Sequence, residues 1–142
     1  MFIGKYYHTL EAKGRLSLPK SFRAQHDEWI VTRGLDGGLF LFAKEAFLSE
    51  VEQLSSKPFT KKRYRDFVRL MTNEAQEVSA DTNGRVQLPE YLIALAGLEK
   101  AVAVVGSMTR IEIWDRDRYH TYIESIENQA EQIAEELEAD AE

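Results

Sequence analysis

The sequence contains no cysteine. Disulfides, thiolate zinc sites and cysteine nucleophiles are thereby excluded, and the composition is compatible with a reducing cytosol. No apolar stretch approaches the roughly 18 residues that a membrane-spanning helix needs, and Met1–Lys5 lacks the layout of a signal peptide. His8, His26 and His120 have no partner at the i+3 or i+4 spacing of a metal site. Also missing are the Gly-x-Ser-x-Gly of a nucleophile elbow, the Gly-x-x-x-x-Gly-Lys of a phosphate-cradling loop and the Gly-x-Gly-x-x-Gly of a dinucleotide site. These absences point away from an enzyme. No cofactor, no metal and no small-molecule substrate is expected.

What is present is enough for a fold. The chain has 142 residues, of which 44% are hydrophobic, which suits one compact domain or two small ones sharing a core. Its formal charge of −6 at first argues against nucleic acid, whose binders usually carry a basic footprint. The charges, however, are segregated. From Glu124 to Glu142 there are eight acidic residues and no basic one, so residues 1–123 carry a net +2. Residues 1–24 hold Lys5, Lys13, Arg15, Lys20 and Arg23 against Glu11 alone. Residues 57–69 hold Lys57, Lys61, Lys62, Arg63, Arg65 and Arg69 against Asp66. An acidic tail of this kind is a solvated helix face or a shield for a basic surface.

The chain also repeats itself. With an offset of 70, Glu11, Gly14 and Arg15 meet Asp81, Gly84 and Arg85, and Leu16, Leu18 and Pro19 meet Val86, Leu88 and Pro89. At an offset of 72, Gly34 meets Gly106, Leu39 and Leu41 meet Ile111 and Ile113, and Phe42, Lys44 and Phe47 meet Trp114, Arg116 and Tyr119. A unit of roughly 40 residues can hardly bury a core alone, so the two copies should pack together.

Each unit reads locally as strand, turn, strand, short helix, a second hairpin and a following helix. Lys13-Gly14 and Asn83-Gly84 supply the positive φ of a tight hairpin turn. Apolar residues alternate at Leu16 and Leu18 and at Val86 and Leu88, which buries one strand face. Pro19 and Pro89 suit the first turn of a short helix. Trp29–Arg33 with Leu39–Phe42, and Ala101–Val105 with Arg110–Trp114, form the second hairpins. The expected fold class is α+β, with two pseudo-symmetric repeats making a small mixed β-barrel and peripheral helices.

Residues 1–54 are the first repeat with its helix, 55–74 a basic helical linker, 75–119 the second repeat and 120–142 an acidic amphipathic helix and tail. In the helix that follows the first repeat, Phe47, Leu48, Val51 and Leu54 form one apolar stripe, ended by Ser55-Ser56-Lys57-Pro58. Tyr64, Phe67, Val68 and Met71 form a second, and Lys62, Arg65 and Arg69 align as a basic ridge on another face. That ridge suits either water or phosphate. In the C-terminal segment Tyr119, Ile123, Ile126, Ala130, Ile133 and Leu137 recur with heptad-like spacing, too short for an independent coiled coil.

The repeated acid-x-x-Gly-Arg turn carries the remaining chemistry. Glu11 and Asp81 each have an arginine four residues on, which favours ionised carboxylates and suits acid catalysis poorly. Their structural role is to fix the loop. Arg15 and Arg85 emerge beside a glycine and present a fork that pairs with phosphate or with the guanine edge. A narrow β-ribbon with Lys13 and Lys20 nearby could approach a groove ~12 Å wide.

The opening Met-Phe-Ile-Gly, the run Leu10 to Pro19, its echo Asp81-Thr82-Asn83-Gly84-Arg85, and Val105-Gly106 followed by Ile111–Asp115 together resemble the MraZ family. The likeness extends to about Tyr122. It implies two AbrB-like swapped-hairpin units in one chain and a homo-oligomeric ring of several subunits. It further implies a cytoplasmic, nucleoid-associated regulator that binds double-stranded DNA at short direct repeats upstream of its own operon, the division and cell-wall gene cluster. The family's Asp-x-x-x-Arg motif maps onto Glu11 with Arg15 and onto Asp81 with Arg85, Glu11 departing from the usual Asp. The DNA-contacting set is then Arg15, Arg85, Lys13, Lys20, Lys62, Arg65 and Arg69, supported by Glu11, Asp81, Gly14 and Gly84. The competing class is a ring-forming scaffold whose acidic helix recruits a protein, without direct DNA contact.

Overall fold

The computed structural model describes residues 1–54 and 58–141. Its elements follow the repeat. The first copy contains β1 (Lys5–Thr9), β2 (Arg15–Ser17), α1 (Lys20–Arg23), β3 (Glu28–Arg33), β4 (Leu39–Ala43) and α2 (Phe47–Leu54). After α3 (Lys62–Asn73), the second copy contains β5 (Gln76–Ser79), β6 (Arg85–Gln87), α4 (Glu90–Ala96), β7 (Ala101–Ser107), β8 (Arg110–Asp115) and α5 (Arg116–Glu127). A last helix, α6, runs over Ala130–Ala141.

Six strands form one sheet in the order β1-β7-β8-β4-β3-β5, and β2 pairs with β6 in a separate two-stranded ribbon. Among the described residues every strand pairing is antiparallel. The order is pseudo-symmetric about the β8–β4 contact. Each hairpin carries the other repeat's first strand on its outer edge: β1 pairs with β7, and β5 with β3. The two copies are therefore interlocked, not merely stacked.

Two expectations are corrected here. The β-barrel does not close, because β1 and β5 each end the sheet with one free edge. The strands flanking Glu11–Gly14 and Asp81–Gly84 also do not pair into hairpins. Each turn keeps a close contact, such as the Glu11–Arg15 bridge, and the strands then diverge into different sheets. The reason is burial. A two-stranded unit would leave Leu16 and Val86 wet, whereas the ribbon sets them opposite each other with both fully buried.

The sheet is covered on both faces. On the inner face Trp29, Val31, Leu39, Leu41, Val102, Val104, Ile111 and Ile113 pack against the ribbon and against Phe22 of α1 and Leu92 and Ala96 of α4. On the outer face Phe40 and Phe42 meet Val51 of α2 and Met71 of α3, and Ala103, Val105 and Trp114 meet Tyr119 and Tyr122 of α5. All five residues of β4 are buried for this reason, since a central strand with both faces covered has no polar side.

The helices sharpen the apolar stripes. α3 buries Met71 and packs Phe67 on the outer face. In α2, Phe47, Val51 and Leu54 face the core while Leu48 is 70% exposed, so Leu48 leaves the expected stripe. Residues 55–57, where that stripe was to end, lie outside the described residues. The C-terminal segment is two helices instead of one. α5 stops at Asn128, a weak helix former, where packing on Trp114 has also ended. Pro19 and Pro89 stand immediately before α1 and α4.

Truncating the ribbon tests this architecture. Leu16→Ala should cost about 2–5 kcal/mol in urea unfolding, because the cavity opens where both repeats meet.

Candidate nucleic-acid interface

The two turns are stitched across the ribbon. Gly14 O accepts from Leu88 N at 2.8 Å, and Gly84 O accepts from Leu18 N at 3.1 Å. Both glycines have positive φ, +73° and +78°. A Cβ at Gly14 would sit 2.7 Å from Leu88 O, so backbone blocks it as well as conformation. Lys13 shares the left-handed region, with φ of 64°. Asn83 does not, so its turn is not the type I′ hairpin that Asn-Gly suggests.

Asp81 closes its own turn. Its Oδ1 accepts from the backbone N–H of Asn83 at 2.8 Å and of Arg85 at 3.0 Å, and its Oδ2 accepts from Arg85 Nε at 3.0 Å. The Arg85 backbone N–H, then that of Asn83 and the Arg85 guanidinium, hold the Asp81 carboxyl below its ordinary value. Glu11 behaves differently. Its longer side chain makes no cap hydrogen bond within its own turn and instead accepts from Arg85 Nη1 at 3.3 Å. The extra methylene carries the charge past the local N–H groups and across to the other repeat.

The two arginines therefore differ. Arg85 is held by both carboxylates and its side chain is mostly buried. Arg15 makes no side-chain hydrogen bond or ion pair among the described residues, and it lies half-buried beside exposed Lys13 and Lys20. In the second repeat, Asn83 and Glu90 occupy the places of these lysines. The open positive charge is thus concentrated at the first turn.

Arg23 was not singled out from sequence, yet it crosses to the second turn. Its Nη1 donates to Asn83 O at 3.1 Å, and its guanidinium fills the space over Gly84. Ile93, its repeat counterpart, covers Gly14 in the same way. The repeat offset was the available signal, but only the exchanged strands reveal that position 23 meets the other copy's glycine.

The linker ridge is placed elsewhere. α3 packs on the outer face of the sheet and the ribbon on the inner one. Lys62 and Arg69 both pair with Asp66, at 2.6 and 2.9 Å. Arg65 donates to Phe59 O and Thr60 O, each at 3.1 Å. The ridge and Arg15 are not one surface. Among the described residues no group of three or more His, Asp or Glu is placed to hold a metal ion, and no helix is long and apolar enough to cross a membrane.

The asymmetry should appear in stability. Arg85→Ala should cost roughly 1 kcal/mol in urea unfolding by leaving two facing carboxylates, and Arg15→Ala should stay within about 0.5 kcal/mol. The Asp81 contribution has a pH window. Its unfolded carboxyl takes a proton near 3.8 and its folded one lower, so the contribution is complete above that value and fades as pH falls through the lower one. Asp81→Asn should flatten stability against pH in that acid range.

Comparison with known proteins agrees with this duplicated architecture. A family model described as "MraZ protein, putative antitoxin-like" matches twice, over residues 1–70 and 71–140. The chain is 41% identical over 138 residues to a protein of Acetivibrio thermocellus named "Transcriptional regulator MraZ", covering 96% of each. Proteins of the same name from Ligilactobacillus salivarius and Moorella thermoacetica are 41% and 40% identical, again over 96% of both chains. The chain belongs to the MraZ family.

Proposed function

We propose that this chain is a sequence-specific DNA-binding transcriptional regulator, acting as a homo-oligomeric ring on short direct repeats upstream of its own operon, the division and cell-wall gene cluster. It works in the cytoplasm, on the nucleoid. The observation that carries the reading is Arg15: an arginine with no side-chain hydrogen bond or ion pair among the described residues, on a turn stiffened by the opposite repeat, with Lys13 and Lys20 exposed beside it. The names of the relatives, all transcriptional regulators, point the same way. The exchange of first strands between repeats supports the AbrB-like swapped-hairpin reading of the fold.

In this reading Arg15 reaches a base edge or a phosphate, and Lys13 and Lys20 neutralise flanking phosphates. Arg85, with Glu11 and Asp81, shapes and stiffens the ribbon, and Gly14 and Gly84 keep it narrow. Stiffness matters because an ordered side chain loses less entropy on binding. Lys62, Arg65 and Arg69 sit behind the sheet, so a duplex seated on the ribbon is not held by them. A ring multiplies weak single contacts on spaced repeats through effective concentration.

Arg15→Ala should weaken binding to the upstream duplex by about 1–3 kcal/mol in an electrophoretic shift titration, relaxing specificity at one base position if it reads a base. Affinity should fall steeply as salt rises, and by a smaller slope in Lys13→Ala/Lys20→Ala. An unchanged shift for the folded Arg15→Ala/Lys13→Ala/Lys20→Ala variant would overturn the assignment.

A further inference from the structure

α6 is built as an interface, yet among the described residues it joins no apolar cluster of its own chain. Ala130, Ile133, Ala134, Leu137 and Ala141 fall at i, i+3, i+4, i+7 and i+11, which makes one apolar stripe. Glu131, Glu135, Glu136, Glu138 and Asp140 fill the flanks, and the helix contains no basic residue. None of its residues is buried, and Leu137 is 65% exposed. A 12-residue helix is marginal in water by itself, and three of its acids stand in the C-terminal half, where the helix dipole disfavours them. A covering surface of apolar and basic character would remove both defects.

α3 presents that surface. A shallow groove along its exposed side is lined by Lys62, Arg63, Asp66, Phe67 and Leu70, with Leu70 half-exposed. Residues 61–69 carry five basic side chains against Asp66, a net +4, to set against −5 on α6. Arg63 has no hydrogen bond or ion pair among the described residues. Apolar floor and basic rim match the apolar stripe and acidic flanks.

We propose that α6 of one copy docks in the α3 groove of a second copy. Ile133 and Leu137 lie on Phe67 and Leu70, and the carboxylates face Lys62, Arg63 and Arg69. A second copy is favoured over the same chain by how α6 is held. α5 is anchored on Trp114, against which Tyr122 stacks and Tyr119 packs edge-on. The junction is then set by Gln129, whose N–H donates to Ile126 O at 3.0 Å and whose O accepts from Ile133 N at 2.8 Å. Beyond that junction no residue of α6 is buried, and none joins an apolar cluster of its own chain among the described residues. The contact is heterologous, α6 on α3, so each copy passes it to the next, and closure makes a ring. The inference rests on the homo-oligomer in the proposed function and gives the 61–69 ridge a protein partner in place of phosphate.

Charge reversal tests this on the full chain, with mass read by light scattering during gel filtration and folding checked by circular dichroism. One variant carries Glu131→Lys, Glu135→Lys and Glu138→Lys, and the other Lys62→Glu, Arg63→Glu and Arg69→Glu. Each alone should lower the mass to that of monomers, with helix and strand signals otherwise kept. Both sets in one chain should restore assembly. An equimolar mixture of the two variants should also assemble, since each new contact is again between opposite charges. Wild-type assembly should loosen as salt rises. If wild type is assembled and both reversals keep its mass, this interface is wrong while the ring reading stands. If wild type is monomeric at every concentration, the ring reading itself fails. Loss of mass that the combined chain does not regain, or crosslinks between α6 and α3 within one monomer, would also overturn the inference.

Discussion

The fold depends on the exchange of first strands between the two repeats. A single unit has one two-stranded hairpin, two further strands that do not pair with it and two helices, which is too little to enclose Trp29 or Leu41. Laying β1 on β7 and β5 on β3 turns two inadequate sheets into one of six strands. It also frees β2 and β6 to pair with each other, which closes the inner core over Leu16 and Val86. The open edges at β1 and β5 follow from the same step. β2 and β6, the two strands outside this sheet, are used in the ribbon.

That exchange also explains the candidate site. Each turn is completed by the other repeat: Leu88 and Ile93 at Gly14, and Leu18 and Arg23 at Gly84. Duplication sets up a symmetric pair, and small differences then give the halves separate work. Asp81 is short enough to bind its own turn, whereas Glu11 overreaches and takes hold of Arg85. One arginine becomes part of the frame and the other stays open. Lysines at 13 and 20, against Asn83 and Glu90, put the net positive charge on the open side.

Charge is distributed by element as well as by repeat. The overall −6 is set by the C-terminal segment, while the body is slightly basic and its two basic clusters fall on surfaces separated by the sheet. On the ribbon they surround Arg15. On α3 they rim an apolar groove and are partly neutralised by Asp66, whose carboxyl Lys62 and Arg69 hold below its ordinary value. A basic ridge with an apolar floor is better matched to an acidic amphipathic helix than to a phosphate backbone, which offers nothing for Phe67 and Leu70 to cover.

Much of this was legible in the residues themselves. Apolar alternation marks the strands, i, i+3, i+4, i+7 spacing marks α3, and the offset of 70 aligns the acid-x-x-Gly-Arg turns. These signals are local, and they report which face of an element avoids water. They cannot report what that face meets. Whether the strands beside Gly14 pair with each other or with the second repeat, whether the sheet closes, and where the C-terminal helix breaks all depend on contacts between residues distant in sequence. The same holds for function. The offset of 70 sets Arg15 and Arg85 beside equivalent turns, but it takes the folded chain, with β2 laid on β6, to bring Glu11 to Arg85 and to leave Arg15 without a partner among the described residues.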